Sequence, residues 1–348
     1  MSIRARRNWH LSSVLFAVPV AVLSIFRAVP WPWPTPVVQL VAFTPWLVFP
    51  AAAALLLSLP SRRPWAVLPA AGLLVLQLVW LLPPDRLLDR PGAARSGQGP
   101  GASAGAPAVE LNVMSLNAQL GQADAATLVR LVRENAIGLL ALQELSPDLE
   151  QRLDAEGLDG LLPYRISNPT DGAAGGGVYA AGPLVPLDSV EGTAFPMPTL
   201  QLTLQLTPGA GGGPVPLAVT NVHAQAPVEG LAARWRSDLA AVGGLAARPG
   251  NLLLLGDFNA TFDHAEFREL LAGGPDGAAG SGGLVDVGVA ERARLTPTWP
   301  KDGQLLPGVV IDHIVTSPHL GSSDYSVQAV PGTDHAAVLA AISVPAGG

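Results

Sequence analysis

The sequence predicts an α/β domain preceded by an N-terminal bundle of three transmembrane helices. Three observations predict it. From residue 108 onward, short apolar runs of strand length alternate with segments of helical spacing. Within residues 1–84 lie three apolar stretches, each near the ~20 residues that cross a bilayer core. Polar residues recur at the ends of the strand-like runs, where α/β folds build their sites.

The apolar stretches are Leu11–Val29, Val37–Leu59 and Trp65–Leu82, joined by short Pro-rich connectors at 30–36 and 60–64. Hydrophobic residues make up 49% of the chain and mean hydropathy is +0.36, and that excess is concentrated here. Residues 1–84 contain six Arg, no Asp or Glu, and six of the eight Trp. Trp9, Trp31, Trp33, Trp65 and Trp80 fall at or near span ends, where indole favours the membrane interface. Arg4, Arg6 and Arg7 before the first span, and Arg62 and Arg63 between the second and third, place those segments in the cytoplasm and everything after span three outside. Arg86, Arg90 and Arg95 argue mildly the other way. A cleaved signal peptide is the competing reading of the first stretch, but two further apolar segments follow it. Residues 85–107, rich in Gly, Ala, Pro and Ser, read as a flexible linker.

The remainder, 108–348, reads as one folded domain. Val109–Leu116 alternates and forms a strand ending at Asn117; Asp124–Glu134 has helical spacing with Asp124 as N-cap. Strands follow at Gly138–Gln143, Gly177–Ala181, Thr199–Leu206 and Val215–His223, the last two paired as a hairpin across 207–214. A helix over Gly230–Leu245 leads to strand Asn251–Gly256, and strands Val309–Thr316 and Ala337–Val344 close the set. Several strands are apolar throughout, as in sheets covered on both faces. There is no Cys, which excludes disulfides, thiolate metal sites and a Cys nucleophile.

The strand ends carry Asn117, Glu144, His223, Asp257 with Asn259, Asp312 with His313, and Asp334 with His335. In Gly256-Asp257-Phe258-Asn259, period two turns Asp257 and Asn259 to one side and Phe258 to the other. A carboxylate beside a carboxamide suits an attacking water next to a metal or phosphate. It also suits a plain turn. Each residue alone has such a structural explanation: His223 as a satisfied core histidine, Asp312 as a strand cap, Asp334 as an Asx-turn.

Taken together and in order, Leu-Asn-Val-Met-Ser-Leu-Asn117, Leu-Gln-Glu144, Thr-Asn-Val-His223, Gly-Asp257-Phe-Asn259, Ile-Asp312-His-Ile and Thr-Asp334-His335 resemble the endonuclease/exonuclease/phosphatase (DNase I-like) superfamily over 108–348. The resemblance implies a four-layer α/β sandwich with two mixed β-sheets and a Mg²⁺-dependent phosphoric ester hydrolase, with Mn²⁺ as an alternative metal. It assigns Glu144, Asn117 and Asp334 to the metal; hard oxygen donors suit that ion. Asp257 and Asn259 would orient or deprotonate water, His335 would act as general base or stabilise the pentavalent state, Asp312 would hold that imidazole, and His223 would donate to a phosphate oxygen. Whether Asp257 or His335 takes the proton stays open. Where many members carry Ser-Arg or Ser-Lys, this chain has Ala181-Gly182. His313, at a position often aromatic or Arg, and Trp299, in Thr296–Pro300, are candidate substrate contacts.

Removing the six Arg of 1–84 leaves 14 basic against 27 acidic residues in 85–348, a formal balance of −13. Nucleic-acid affinity rests on Lys and Arg against phosphates, so a nuclease is the second reading. A bilayer-tethered domain suits a lipid-linked phosphate or a phospholipid headgroup, because the tether raises effective concentration. Three spans plus this domain are similar to bacterial membrane members linked to glycopeptide (teicoplanin) resistance, which implies a multi-pass protein of the bacterial cell membrane with an extracytoplasmic domain and a lipid pyrophosphate as substrate. A catalytically inactive binding module is the third reading; retention of every motif residue argues against it.

Overall fold

The computed structural model describes residues 3–61, 63–81, 108–205, 213–274, 283–301 and 307–346. The expected linker, 85–107, lies outside the described residues. The chain divides into two compact units, Met1–Arg95 with Asp263–Ala265, and Ser96–Phe262 with Glu266–Gly348.

In the first unit, three helices are long and apolar enough to cross a membrane: Asn8–Ala28, Thr44–Ser61 and Pro64–Leu81. The expected continuous span Val37–Leu59 is corrected. The chain is helical over Thr35–Val41, breaks, makes a 3₁₀ turn at Thr44–Leu47 and resumes over Val48–Ser58. Pro45 is the reason: it has no N–H to donate to the preceding turn and its ring clashes with the carbonyl there. Large apolar side chains point outward, among them Leu15, Phe49, Leu56 and Leu68. Small and polar ones face inward: Ala51 and Ala54 are fully buried, Ser13 Oγ donates to the Ala54 carbonyl at 2.8 Å, and Gln77 Nε2 donates to Ser24 Oγ at 2.9 Å. Close approach through small residues, with hydrogen bonds across helices, is how helices associate in lipid.

The second unit is built on twelve strands: β1 (Ala108–Asn117), β2 (Leu139–Gln143), β3 (Tyr164–Asn168), β4 (Gly176–Ala180), β5 (Leu184–Ser189), β6 (Pro198–Leu204), β7 (Val215–His223), β8 (Asn251–Asp257), β9 (Val285–Asp286), β10 (Asp312–Thr316), β11 (Gly321–Ala329) and β12 (Ala336–Pro345). They form two six-stranded mixed sheets, in the orders β11-β12-β1-β2-β4-β3 and β5-β6-β7-β8-β10-β9. Each has one parallel pair, β1 with β2 and β7 with β8.

Alternation along the strands explains the layers. In β1 and β2, Val113, Leu139 and Ala141 join the core shared with Leu217, Val219, Leu253 and Leu255 of the other sheet. Their neighbours Met114, Leu140 and Leu142 face the opposite way, against Leu128 and Leu149 of helices Ala125–Glu134 and Pro147–Ala155. Asp124 caps the first of these helices, accepting from the Thr127 N–H at 2.8 Å. With Trp235 of helix Ala232–Gly243 and Phe267 of helix Ala265–Leu271 fully buried, the unit is the expected α/β sandwich.

The strand expected over Val309–Thr316 begins later, at Asp312. Val309 instead makes an isolated bridge with Trp299. The strands β3, β5, β9 and β11, absent from the sequence reading, are the four outer strands of the two sheets.

Candidate active site

The topology brings the site to one end of both sheets. In a parallel pair both C-terminal ends lie together, so Asn117 ends β1 beside Gln143, with Glu144 next in the chain, and His223 ends β7 beside Asp257. An antiparallel neighbour begins where those strands end. Hence Asp312, first residue of β10, pairs with Asp257, and His335 directly precedes β12, which runs against β1. The six motifs therefore converge because two parallel pairs are each flanked by an antiparallel strand.

Local backbone serves the same end. Gly256 has φ +149°, and a Cβ there would lie 1.9 Å from the Val222 carbonyl oxygen, so only glycine lets β7 and β8 approach before Asp257. Glu144 and Asn259 stand in the left-handed region at φ +53° and +48°. For Asn that conformation is easy; for Glu it is unusual, and here it coincides with a carboxylate held by two donors. Asn259 N–H donates to Asp257 Oδ1 at 2.8 Å and its Nδ2 to Asp257 Oδ2 at 3.2 Å. The Gly-Asp-Phe-Asn segment is thus an Asx-type turn and a paired polar group at once, while Phe258 is buried on the other side.

The side chains form one connected network. Asn117 Nδ2 donates to Glu144 Oε1 at 3.1 Å and to Asp257 Oδ2 at 3.0 Å, linking the two sheets. The Leu120 N–H donates to Glu144 Oε2 at 2.8 Å. His223 Nε2 lies 3.6 Å from Glu144 Oε1, its ring stacked on Phe195 at 4.5 Å. Both oxygens of Asp312 stand 3.0 Å from His335 Nδ1, and His335 Nε2 lies 3.9 Å from Asp257 Oδ2 and from Asp334 Oδ1. Trp299 Nε1 donates to Asp334 Oδ2 at 2.8 Å.

Electrostatics follow from this packing. Burial pushes the Asp257 carboxyl up, and the neighbouring Asp312 charge pushes it further, against the pull of His335. Burial would lower the His335 imidazole, but the Asp312 charge and hydrogen bond outweigh it, with Asp257 and Asp334 adding, so its protonated form is favoured. His223 goes the other way: burial and the His335 charge lower it to about 4, leaving a neutral imidazole at neutral pH.

Two groupings could hold a cation. Donor atoms of Asp257, Asp312 and His335 lie within 4.8 Å of one another. There, however, Asp312 spends both oxygens on the His335 N–H, which marks a hydrogen-bonded triad. Glu144 and Asp334 keep 17% and 18% of their side chains exposed and present hard oxygen donors open to solvent; Asn117 is buried, its Oδ1 accepting the Gln119 N–H at 3.0 Å, and completes the set from behind. That set fits a divalent cation of the Mg²⁺ kind.

Of the sequence-derived residues, Asn117, Glu144, His223, Asp257, Asn259, Asp312, Asp334, His335 and Trp299 come together. His313 does not, and its expected role as a substrate contact is corrected. It follows Asp312 on a strand, so it faces away, and it is 2% exposed with Nδ1 2.9 Å from Asp286 Oδ2 and Nε2 2.8 Å from the Ala260 carbonyl oxygen. Supporting residues were missed. Thr298 Oγ1 accepts the Ile311 and Asp312 N–H groups, Thr333 Oγ1 donates to the Asn117 carbonyl, and Gln119 Oε1 accepts the Asp334 N–H. Gln143 Nε2 donates to Asn221 Oδ1 at 2.7 Å, and Asn221 Nδ2 donates to the Leu142 carbonyl at 2.9 Å, bridging the sheets below the site. The Gln before Glu144 and the Asn two before His223 were the available signal: polar residues inside apolar strands.

The sequence pattern of the Endonuclease/Exonuclease/phosphatase family matches residues 114–335. No curated protein matches the chain. Among solved structures, it is similar to D. rerio TDP2 complexed with single strand DNA product, at 16% identity over 67% of this chain and 98% of that one, with a TM-score of 0.49. An endonuclease/exonuclease/phosphatase from Beutenbergia cavernae gives 18%, 68%, 72% and 0.47. A family protein from Bacteroides thetaiotaomicron gives 14%, 68%, 98% and 0.44.

Proposed function

Because the chain belongs to the endonuclease/exonuclease/phosphatase family, whose members are metal-dependent phosphoesterases, we propose that it is a membrane-anchored hydrolase of a lipid-linked phosphate ester or phosphoanhydride. The observation that carries the chemistry is the buried Asp312–His335–Asp257 triad beside the more open Glu144 and Asp334 carboxylates.

A raised carboxyl can take a proton near neutral pH, so Asp257 is the general base for the attacking water, with Asn259 orienting it. His335, kept protonated by Asp312, donates to the charge that builds on the phosphoryl oxygens. His223, neutral and stacked on Phe195, donates a hydrogen bond to a further oxygen without adding charge. Mg²⁺ or Mn²⁺ held by Glu144, Asp334 and Asn117 would neutralise charge on the phosphoryl group and its leaving oxygen.

The lipid assignment rests on the surroundings. Leu120, 48% exposed, adjoins Glu144; Phe195 adjoins His223; Trp299 adjoins Asp334. Among the described residues, no Lys or Arg side chain bonds to Asn117, Glu144, Asp257, Asp312 or Asp334. Exposed Lys301, whose backbone N–H donates to the Asp334 carbonyl at 2.8 Å, puts one cationic side chain near this rim. A rim led by apolar side chains suits an apolar chain next to a phosphate better than a polyanion. The three helices, long and apolar enough to cross a membrane, support the anchor, and the Arg distribution supports an orientation with the catalytic unit outside the cytoplasm.

The test is a substrate panel with the full-length protein in lipid vesicles: phospholipids and undecaprenyl pyrophosphate against plasmid DNA, with Mg²⁺ or with excess EDTA. Hydrolysis of a lipid phosphate, abolished by EDTA, is expected. A preference for DNA makes it a nuclease, persistence in EDTA removes the metal role, and a folded protein that cleaves nothing is a binding module. A reporter joined after Gly348 is expected to be active only outside the cytoplasm; a cytoplasmic signal reverses the orientation.

A further inference from the structure

His313 is buried, excluded from the cleft, and bonded at both ring nitrogens. Nε2 faces the Ala260 carbonyl oxygen at 2.8 Å. A carbonyl only accepts, so Nε2 carries a hydrogen. Nδ1 faces Asp286 Oδ2 at 2.9 Å, while the other oxygen of Asp286 accepts the Val289 N–H at 3.2 Å and caps the turn Val287–Ala290. An ionised Asp286 has no hydrogen to give, so against it Nδ1 donates as well. The ring also lies 4.3 Å from the Phe267 ring centre, tilted by 34°, and meets Phe258 edge-on at 5.6 Å. An aromatic face is a favourable neighbour for a ring that carries positive charge.

We infer that His313 is a standing imidazolium and that, paired with Asp286, it clamps the turn carrying Asp257 and Asn259 into its working geometry. Ala260 directly follows Asn259. The turn is already tied to β7 by the Ala224 N–H on the Asp257 carbonyl, at 2.9 Å, and to β10 by the Phe258 N–H on the Ile311 carbonyl, at 3.0 Å. Asn259 Nδ2 also donates to the Ala224 carbonyl at 3.0 Å. The His313 bond to Ala260 adds a further tie, on the side downstream of Asn259. Because the ring nitrogens reach Asp286 in one direction and Ala260 in the other, β9 becomes the support of a turn on β8 across the intervening β10.

The groups acting on the pair agree with this. Burial opposes the charge on His313, but the Asp286 carboxylate and its hydrogen bond, the Ala260 carbonyl and the adjacent Asp312 outweigh it. Tyr325, the other titratable group near Asp286, is held neutral by burial. His313 touches neither substrate nor the reacting atoms, so it is a positioning residue. Its catalytic consequence rests on the phosphoesterase reading; its charge and its hold on the turn do not.

The test uses the full-length protein in detergent micelles, one sample labelled with [¹⁵N]histidine and a second with [¹⁵N]asparagine, in which the Asn259 amide is the signal missing from Asn259→Ala. There are six histidines, and the His313 signals are those missing from His313→Gln. Both ring nitrogens are expected to stay protonated from pH 6 to pH 9. A bare ring nitrogen at or below pH 8 overturns the imidazolium. Asp286→Asn keeps the shape and removes the charge. It is expected to shift the Asn259 amide resonance and to lower kcat about tenfold with KM within about twofold, as small misplacement of catalytic groups does. Asp286→Glu is expected to restore both. An unmoved Asn259 resonance overturns the clamp even if Asp286→Asn proves less stable. If the wild type hydrolyses no phosphate substrate, the ring and amide signals still decide the inference, and only the functional reading fails.

Discussion

The two sheets bring different kinds of acid to one edge. The first sheet contributes Glu144 after β2 and Asp334 before β12, both partly open to solvent; the second contributes Asp257 and Asp312, each 1% exposed. A carboxylate in contact with water can take a hard cation without being dug out of the fold. A carboxylate sealed in the fold must be paired or must hold a proton, because an isolated buried charge is expensive. Under the proposed chemistry, one sheet would supply charge to neutralise a metal and the other would supply proton transfer. Asn117, bonded to Glu144 and Asp257 together, and His335, set between Asp312 and Asp334, couple the two.

The comparison breaks most completely at Glu144. Glu144→Ala removes the proposed metal-binding carboxylate and the acceptor of two hydrogen bonds, and hydrolysis is expected to fall by about three orders of magnitude or more, as loss of a major electrostatic group does. Isothermal titration with Mn²⁺ is expected to show binding lost with it. Retained Mn²⁺ affinity would move the cation to the Asp257–Asp312–His335 grouping and undo the division between sheets.

On the second sheet the test is Asp312→Asn. The Asp312 charge holds the His335 imidazole up against burial. Without it the protonated form is lost at lower pH, so the alkaline limb of the rate profile moves toward acid. The rate at the optimum is expected to fall by about 10²–10⁴-fold, the range for general acid–base groups. An alkaline limb that stays in place would mean that another group governs it.

The same contrast explains what the sequence made legible. The eight strands read from it, β1, β2, β4, β6, β7, β8, β10 and β12, are the inner ones; β2, β8 and β10 are buried along their whole length, while β6 alternates buried with half-buried residues. The four missed strands are the edges. β11 is Gly-Ser-Ser-Asp-Tyr-Ser, β5 holds Pro186, and β3 is half exposed; an edge needs no apolar signature and tolerates Pro. At the site, strand-end residues were visible because polar groups after apolar runs stand out. His313 was read as a substrate contact from a position often aromatic or Arg in the family it resembles, whereas period two sends its side chain through the sheet, away from Asp312. Thr298, Thr333 and Gln119 gave no signal, since their work is to satisfy backbone groups that only the fold brings near.

The smallest effect sharpens how the sheets are registered. Asn221 accepts from Gln143 and donates to the Leu142 carbonyl in the other sheet, in a buried setting just below the site. Asn221→Leu leaves the Gln143 amide one partner, Ser115 Oγ at 3.1 Å, and frees the Leu142 carbonyl from this bond. A buried polar group left unpaired costs about 1–3 kcal/mol, so the unfolding midpoint is expected to drop by roughly 2–12 °C for a domain of this size. Activity is expected to fall less than tenfold, because Asn117 still joins Glu144 to Asp257. A larger loss of activity than of stability would place the inter-sheet register in the Gln143–Asn221 bridge and leave Asn117 a passive link. An unchanged midpoint would show that the two sheets are held by their apolar core alone.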